Sequence, residues 1–195
     1  MLLQRAARRL GSIVRDLIEA VLLAAVLFFV LQFGLQSTVV EGFSMEPNFV
    51  DGEWVLVNKL AYRFGEPERG DVVVFHAPGE RDKDYIKRVV GLPGEEVRVR
   101  DQVLLVDGVP IDEPWLPHAD PTTFGPFIVP GGHVVVFGDN RPNSNDSRSW
   151  AAPELATERI VGRVWVSVWP PATWGAVRSD APGPARSMRA AADER

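Results

Sequence analysis

Three segments of the 195-residue chain carry side chains whose types and spacing suit covalent chemistry. Ser44 lies in Gly42-Phe43-Ser44-Met45-Glu46-Pro47, and Lys87 lies in Tyr85-Ile86-Lys87-Arg88-Val89-Val90. The third is Gly138-Asp139-Asn140-Arg141-Pro142-Asn143-Ser144-Asn145-Asp146-Ser147-Arg148. A serine hydroxyl is a weak nucleophile until a neighbouring base takes its proton. A lysine is such a base only when neutral, and burial can lower its pKa by up to ~3–5 units. Lys87 stands among apolar, strand-like residues, the setting that does this. Plainer readings stay open: Lys87 as an edge-strand lysine facing solvent, Ser44 as a turn serine, and 138–148 as a polar surface loop. Charges of both signs packed into so short a loop suit a network that fixes a site from behind.

Other chemistries find less support. The chain has no cysteine, so thiol nucleophiles, disulfides and thiolate metal sites are excluded. Its three histidines are His76, His118 and His133, none in a nucleophile context and none at metal-ligand spacing. No metal and no cofactor are expected. A net charge of -5 argues against nucleic acid as a partner.

The elements that must hold these residues differ along the chain. Residues 1–36 carry Arg5, Arg8, Arg9 and Arg15 against Asp16 and Glu19, while the remainder is acidic. Ala20–Val40 has no charged residue. About 20 apolar residues cross ~30 Å of hydrocarbon as a helix. Residues 1–16 therefore read as a cytoplasmic basic arm and 17–36 as a transmembrane helix, with the body outside by the positive-inside rule. A cleaved leader is the competing reading, but no good small-x-small site follows the run.

From residue 37 to about 175 the pattern is β-rich. Candidate strands are Trp54–Asn58, Asp71–His76, Tyr85–Val90, Val97–Arg100, Val103–Val106, His133–Phe137 and Ile160–Val168. Val72–Phe75 and Val134–Phe137 lack alternation and read as strands buried on both faces. Asp107-Gly108 between apolar runs signals a type I′ hairpin turn, inside a subregion of about 95–132. The expected fold is mainly β, with antiparallel sheets forming a sandwich or barrel-like domain. One short helix is expected near Pro153–Glu158, and a disordered tail over 176–195.

In order and wording these segments resemble the type I signal peptidases, the membrane-bound proteases of the Ser-Lys dyad class that remove secretory signal peptides. The resemblance runs from the anchor to about Pro170. Ser44-Met45-Glu46-Pro47 resembles the nucleophile motif, Arg69-Gly70-Asp71-Val72-Val73-Val74-Phe75 the family's Arg-Gly-Asp strand, and Tyr85–Gly94 the general-base motif. Gly138–Arg148 resembles the C-terminal motif. Some members carry a serine where Gly42 stands and others a glycine, the family often has threonine where Asn48 stands, and Pro142 is a further local variation.

The resemblance implies roles. Ser44 attacks the scissile carbonyl, Lys87 is the general base, and Ser144 hydrogen-bonds and orients Lys87. Asp146 and Arg148 pair, Asp139 supports the loop, and the Ser44 N–H stabilises the oxyanion. Met45 and Ile86 line small pockets that read Ala-x-Ala-like sites. It also implies signal peptides of exported preproteins as substrates and a single-pass protein of the bacterial cytoplasmic membrane; a monomer is expected. Phe43, Phe49 and Trp54 suit either a membrane interface or the core. Two other readings are a self-cleaving Ser-Lys protease of the repressor type, which would need a helix-turn-helix where the span lies, and a non-catalytic single-span protein with a β-rich binding domain.

Overall fold

In the computed structural model, residues 2–63, 65–79, 83–116 and 120–177 are described. His118 and the tail from residue 178 onward lie outside them. The chain divides into two units, Met1–Gln36 and Ser37–Arg195.

The first unit is helix α1, Leu2–Gly34. It begins within the expected basic arm and stops two residues before the expected end of the span. The Leu35–Val39 stretch enters a strand instead. β-branched Thr38 and Val39 favour that extended backbone. Ile13–Gly34, 22 residues, is long and apolar enough to cross a membrane. At 1.5 Å per residue such a segment measures ~33 Å.

The second unit holds two sheets. The larger contains β1 (Leu35–Val39), β2 (Trp54–Asn58), β3 (Val72–His76), β4 (Asp84–Gly91), β9 (His133–Phe137), β10 (Leu155–Ala156), β11 (Ile160–Trp169) and β12 (Gly175–Ala176). Its order is β1-β2-β11-β3-β4-β9-β10, with β12 paired to β11. The smaller contains β5 (Glu96–Arg100), β6 (Val103–Val106), β7 (Val109–Pro110) and β8 (Phe124–Ile128), in the order β7-β6-β5-β8. The pairings from β2 to β10 and across the smaller sheet are antiparallel, so the mainly β, antiparallel expectation holds.

The unalternating valine runs behave as their pattern implies. In β3, Val72 and Val74 enter one apolar cluster while Val73 and Phe75 enter another. In β9, Val134 and Val136 join the cluster of Val73, whereas Val135 and Phe137 join the core of the smaller sheet. Both strands are therefore covered on both faces. The Asp107-Gly108 turn has φ of 51° and 76°, the positive pair a type I′ turn needs.

Three differences are instructive. The helix expected near Pro153–Glu158 is instead β10 followed by a 3-10 turn at Thr157–Arg159. Pairing with Val134 buries Leu155 at the edge of the larger sheet, and that burial overrides local preference. Strand β8 carries Gly125-Pro126, which conceals it in the sequence. It lies at the edge of its sheet, where a missing N–H is tolerated. Phe49 is buried in the core, whereas Trp54 is exposed and faces Trp169 across the β2–β11 pair.

Candidate active site

Ser44 sits in the loop between β1 and β2. Gly42 turns the chain with φ +84°, and its N–H donates to Asp51 Oδ1 at 2.7 Å. Backbone bonds from Glu46 N to Phe43 O and from Phe49 N to Met45 O tighten the turn. Met45 (0% exposed) and Phe49 fill the apolar cluster beneath it. The loop is thus pinned by two buried plugs, and Ser44 rides above them.

Lys87 comes from β4. In an antiparallel pair, directly opposed residues share a face. Lys87 opposes Val73, with Tyr85 and Val89 two residues away on the same side. The pleat that buries these apolar neighbours carries the lysine inward, leaving it 4% exposed. Its Nζ donates to Ser44 Oγ at 2.8 Å and to the Ile86 carbonyl at 2.8 Å. Burial lowers its pKa to about 8; the Asp146 and Asp139 carboxylates push back up, and Arg148 adds to the lowering. A neutral amine in contact with a serine hydroxyl can remove the serine's proton.

The 138–148 loop closes over this pair from β9. Asn140 N donates to the Ser44 carbonyl at 3.0 Å, and Asn140 Nδ2 to the Phe43 carbonyl at 3.0 Å. Gly138 admits no side chain: a Cβ there would lie 2.2 Å from Ser144 Oγ and 2.4 Å from the Ser44 carbonyl oxygen. Gly138 N donates to Asp146 Oδ2 at 2.8 Å. Arg148 grips the same carboxylate with two bonds, Nε to Oδ1 at 2.9 Å and Nη2 to Oδ2 at 2.7 Å.

Asp139 is held by Arg88, whose Nε and Nη2 donate at 2.8 and 2.7 Å. Asn48 Nδ2 also donates to Asp139 Oδ2, at 2.9 Å, and so ties the Ser44 loop to this pair.

Sequence reasoning placed Ser144 against Lys87. Here its Oγ is buried without a hydrogen-bond partner among the described residues. Lys87 Nζ is directed instead at Ser44 and the Ile86 carbonyl, while Ser144 packs against Gly138. Met45 was expected to line a pocket; it lies in the core cluster that includes Ile86 and therefore backs the site rather than facing it. Ile86 does line the groove. That groove is a cavity of about 630 Å³ bounded by Val39–Glu41 on one side and Asp84–Lys87 on the other, with Ser44 and Asn145 at its wall. His76, on the same groove, pairs with Asp84 at 2.7 Å, and His133 contacts the Gly131 carbonyl.

Several residues escaped the sequence reading. Arg88 is buried, and its guanidinium lies 4.5 Å from the Trp115 ring centre. Arg141 is buried between Glu113 and Asp120. Burial raises the Glu113 pKa, and Arg141 offsets this only in part. Burial also pushes Asp120 up, but bonds from Thr122 and Arg141 outweigh it and hold the carboxyl below its usual value. A charged pair such as Lys87-Arg88 inside an apolar strand was the available signal for Arg88.

Comparison with known proteins places this geometry in context. A family model described as signal peptidase, peptidase S26 matches residues 14–169. Signal peptidase IB of Staphylococcus aureus is 35% identical over 181 residues, spanning 80% of this chain and 91% of that protein. A probable signal peptidase I-2 of Synechocystis sp. is 34% identical over 173 residues, spanning 86% and 77%. A signal peptidase I of Enterococcus faecalis V583 matches in structure with a TM-score of 0.46 and 30% identity, over 51% of this chain and 97% of that one.

Proposed function

The chain belongs to the signal peptidase family, peptidase S26, and from that premise we propose that it cleaves signal peptides from exported preproteins with Ser44 as nucleophile and Lys87 as general base. The observation that carries this is the 2.8 Å contact between Lys87 Nζ and Ser44 Oγ, made by an amine whose pKa is lowered to about 8. The contact also weighs against a non-catalytic binding protein, for which the two side chains have no reason to meet.

The steps follow from the geometry. Neutral Lys87 takes the Ser44 proton as Oγ attacks the scissile carbonyl. The Ser44 backbone N–H, in a loop fixed by Met45 and Phe49, is assigned as a donor to the developing oxyanion. The resulting Lys87 ammonium protonates the leaving amine of the mature protein. The acyl-Ser44 ester is then hydrolysed by a water whose proton goes to the same amine.

Ile86 on the groove wall, backed by Met45, selects small side chains by steric clash, which suits Ala-x-Ala-like sites. Asp139, Asp146 and Arg148 hold the loop over the dyad, and Ser144 supports it by packing against Gly138. The Ile13–Gly34 segment anchors the chain in the bacterial cytoplasmic membrane. The basic end is cytoplasmic and the β-rich unit lies on the far side. Ser44 follows Gly34 by only ten residues, which suits substrates whose cleavage sites lie just past the bilayer.

The test is processing of a model preprotein in vesicles. Ser44→Ala and Lys87→Ala are each expected to lower the rate by at least about a thousandfold. Wild-type processing by either variant would overturn the assignment.

A further inference from the structure

Asn145 stands between Ser144 and the buried Asp146, yet it is exposed at the groove wall beside Tyr85 and Lys87. Its amide orientation is determined by its neighbours. An indole N–H can only donate. Trp150 Nε1 donates to Asn145 Oδ1 at 3.1 Å, and Ser149 Oγ donates to the same oxygen at 2.9 Å. The carbonyl end of the amide is therefore held by the loop, and the NH2 end must face away from it. Nδ2 lies 3.5 Å from the Tyr85 hydroxyl, at the limit of hydrogen-bond reach, on the groove side.

The clamp is itself rigid. Trp150 packs edge-on against Phe75 with ring centres 5.9 Å apart, and Phe75 against Tyr85 at 6.2 Å. Trp150 N and Ser149 N both donate to the Asp146 carbonyl. The site thus presents an oriented N–H donor on the wall of the cavity that holds Ser44. An extended peptide in that cavity carries main-chain carbonyls that need donors once water leaves.

We infer that Asn145 is a substrate-binding residue whose Nδ2 donates to a main-chain carbonyl of the bound peptide. This rests on the reading of the groove as a peptidase site. A main-chain acceptor makes the contact independent of substrate side chains. A preorganised donor of this kind adds affinity without an ordering cost at the moment of binding.

The experiment compares Asn145→Ala and Asn145→Asp in the full-length protein, on two peptide substrates that differ in the side chains flanking the cleavage site. Asn145→Asp keeps the oxygen that accepts from Trp150 and Ser149, but puts an acceptor where the donor was. Rates are read at the high-pH plateau of each variant, so that an altered Lys87 titration does not enter, and thermal unfolding is followed alongside. The expected result is a loss of roughly tenfold in kcat/KM for both variants on both substrates, the size of one hydrogen bond. Asn145→Asp should unfold at the wild-type temperature. Loss in Asn145→Ala with wild-type activity in Asn145→Asp would reduce Asn145 to a clip for Trp150 and overturn the proposal. So would wild-type activity in both, or a loss confined to one substrate. A Ser44→Ala control that still cleaves would instead remove the peptidase reading itself.

Discussion

The loop bearing Ser44 and the loop at 138–148 meet at one site but are held by different physics. The first is fastened by apolar plugs and short-range backbone bonds: Met45 and Phe49 below, Gly42 bonded to Asp51 at the entry. The second is fastened by buried charge. Asp139 with Arg88, Asp146 with Arg148, and Arg141 with Asp120 and Glu113 are all largely withdrawn from solvent. Apolar packing is forgiving of charge and salt but sensitive to volume. A buried ion pair adds little net stability when intact, yet losing one partner strands the other. Ser44 therefore sits on a mount tuned by shape, and the loop that closes over it is held by electrostatics.

The largest effect should come from stranding a charge. Arg88→Met leaves Asp139 buried without its cationic partner, with an expected destabilisation of about 3–5 kcal/mol. Denaturant unfolding measures it. The double variant Arg88→Met/Asp139→Leu should recover most of that loss. Equal instability of the single and double variants would show that the second loop is not charge-held, and the contrast between the loops would collapse.

The next effect tests where the two mounts touch. Gly138→Ala forces a methyl group onto Ser144 Oγ and the Ser44 carbonyl oxygen. A displacement near 1 Å at the nucleophile costs about a hundredfold in rate. Steady-state kinetics should show the loss in kcat rather than KM. A near-normal kcat would mean that the Ser44 loop moves aside freely, and that its plugs are not rigid.

The smallest effect, taken per pH unit, concerns Lys87 on β4, whose Nζ reaches Ser44. Below about pH 8 Lys87 is mostly protonated and cannot accept a proton; above it the amine is free. Activity should therefore rise with pH through about 8 and level off above, falling about tenfold per unit on the acid side. A profile of kcat/KM against pH measures this. A midpoint close to the ordinary lysine value would indicate that burial does not govern the base.

How much of this is legible in the sequence depends on the range of the interactions. The valine runs of β3 and β9 reveal their two-sided burial locally, and Asp107-Gly108 reveals its turn. Lys87 announces itself because an ionisable residue in an apolar strand is a local anomaly. The network behind it does not. Arg88 meets Asp139 across 51 residues and Arg141 meets Glu113 across 28, so no window shows either pairing. Met45 and Ser144 are misplaced for a related reason. Motif membership puts a residue near a site, but whether its side chain points inward or toward the cavity is decided by packing. β8 is hidden by its own Gly-Pro, which only an edge position tolerates.

The contact between Lys87 Nζ and the Ile86 carbonyl has a consequence for timing. Lys87 is positioned by its own strand, and that strand takes its register from β3 and β9. In an unfolded chain the lysine is an ordinary ammonium ion, and Ser44 is 43 residues away from it. On the proposed assignment, cutting power arrives only when the larger sheet has closed around β4. Under the proposed dyad, an incompletely folded copy is chemically blunt while it is being made.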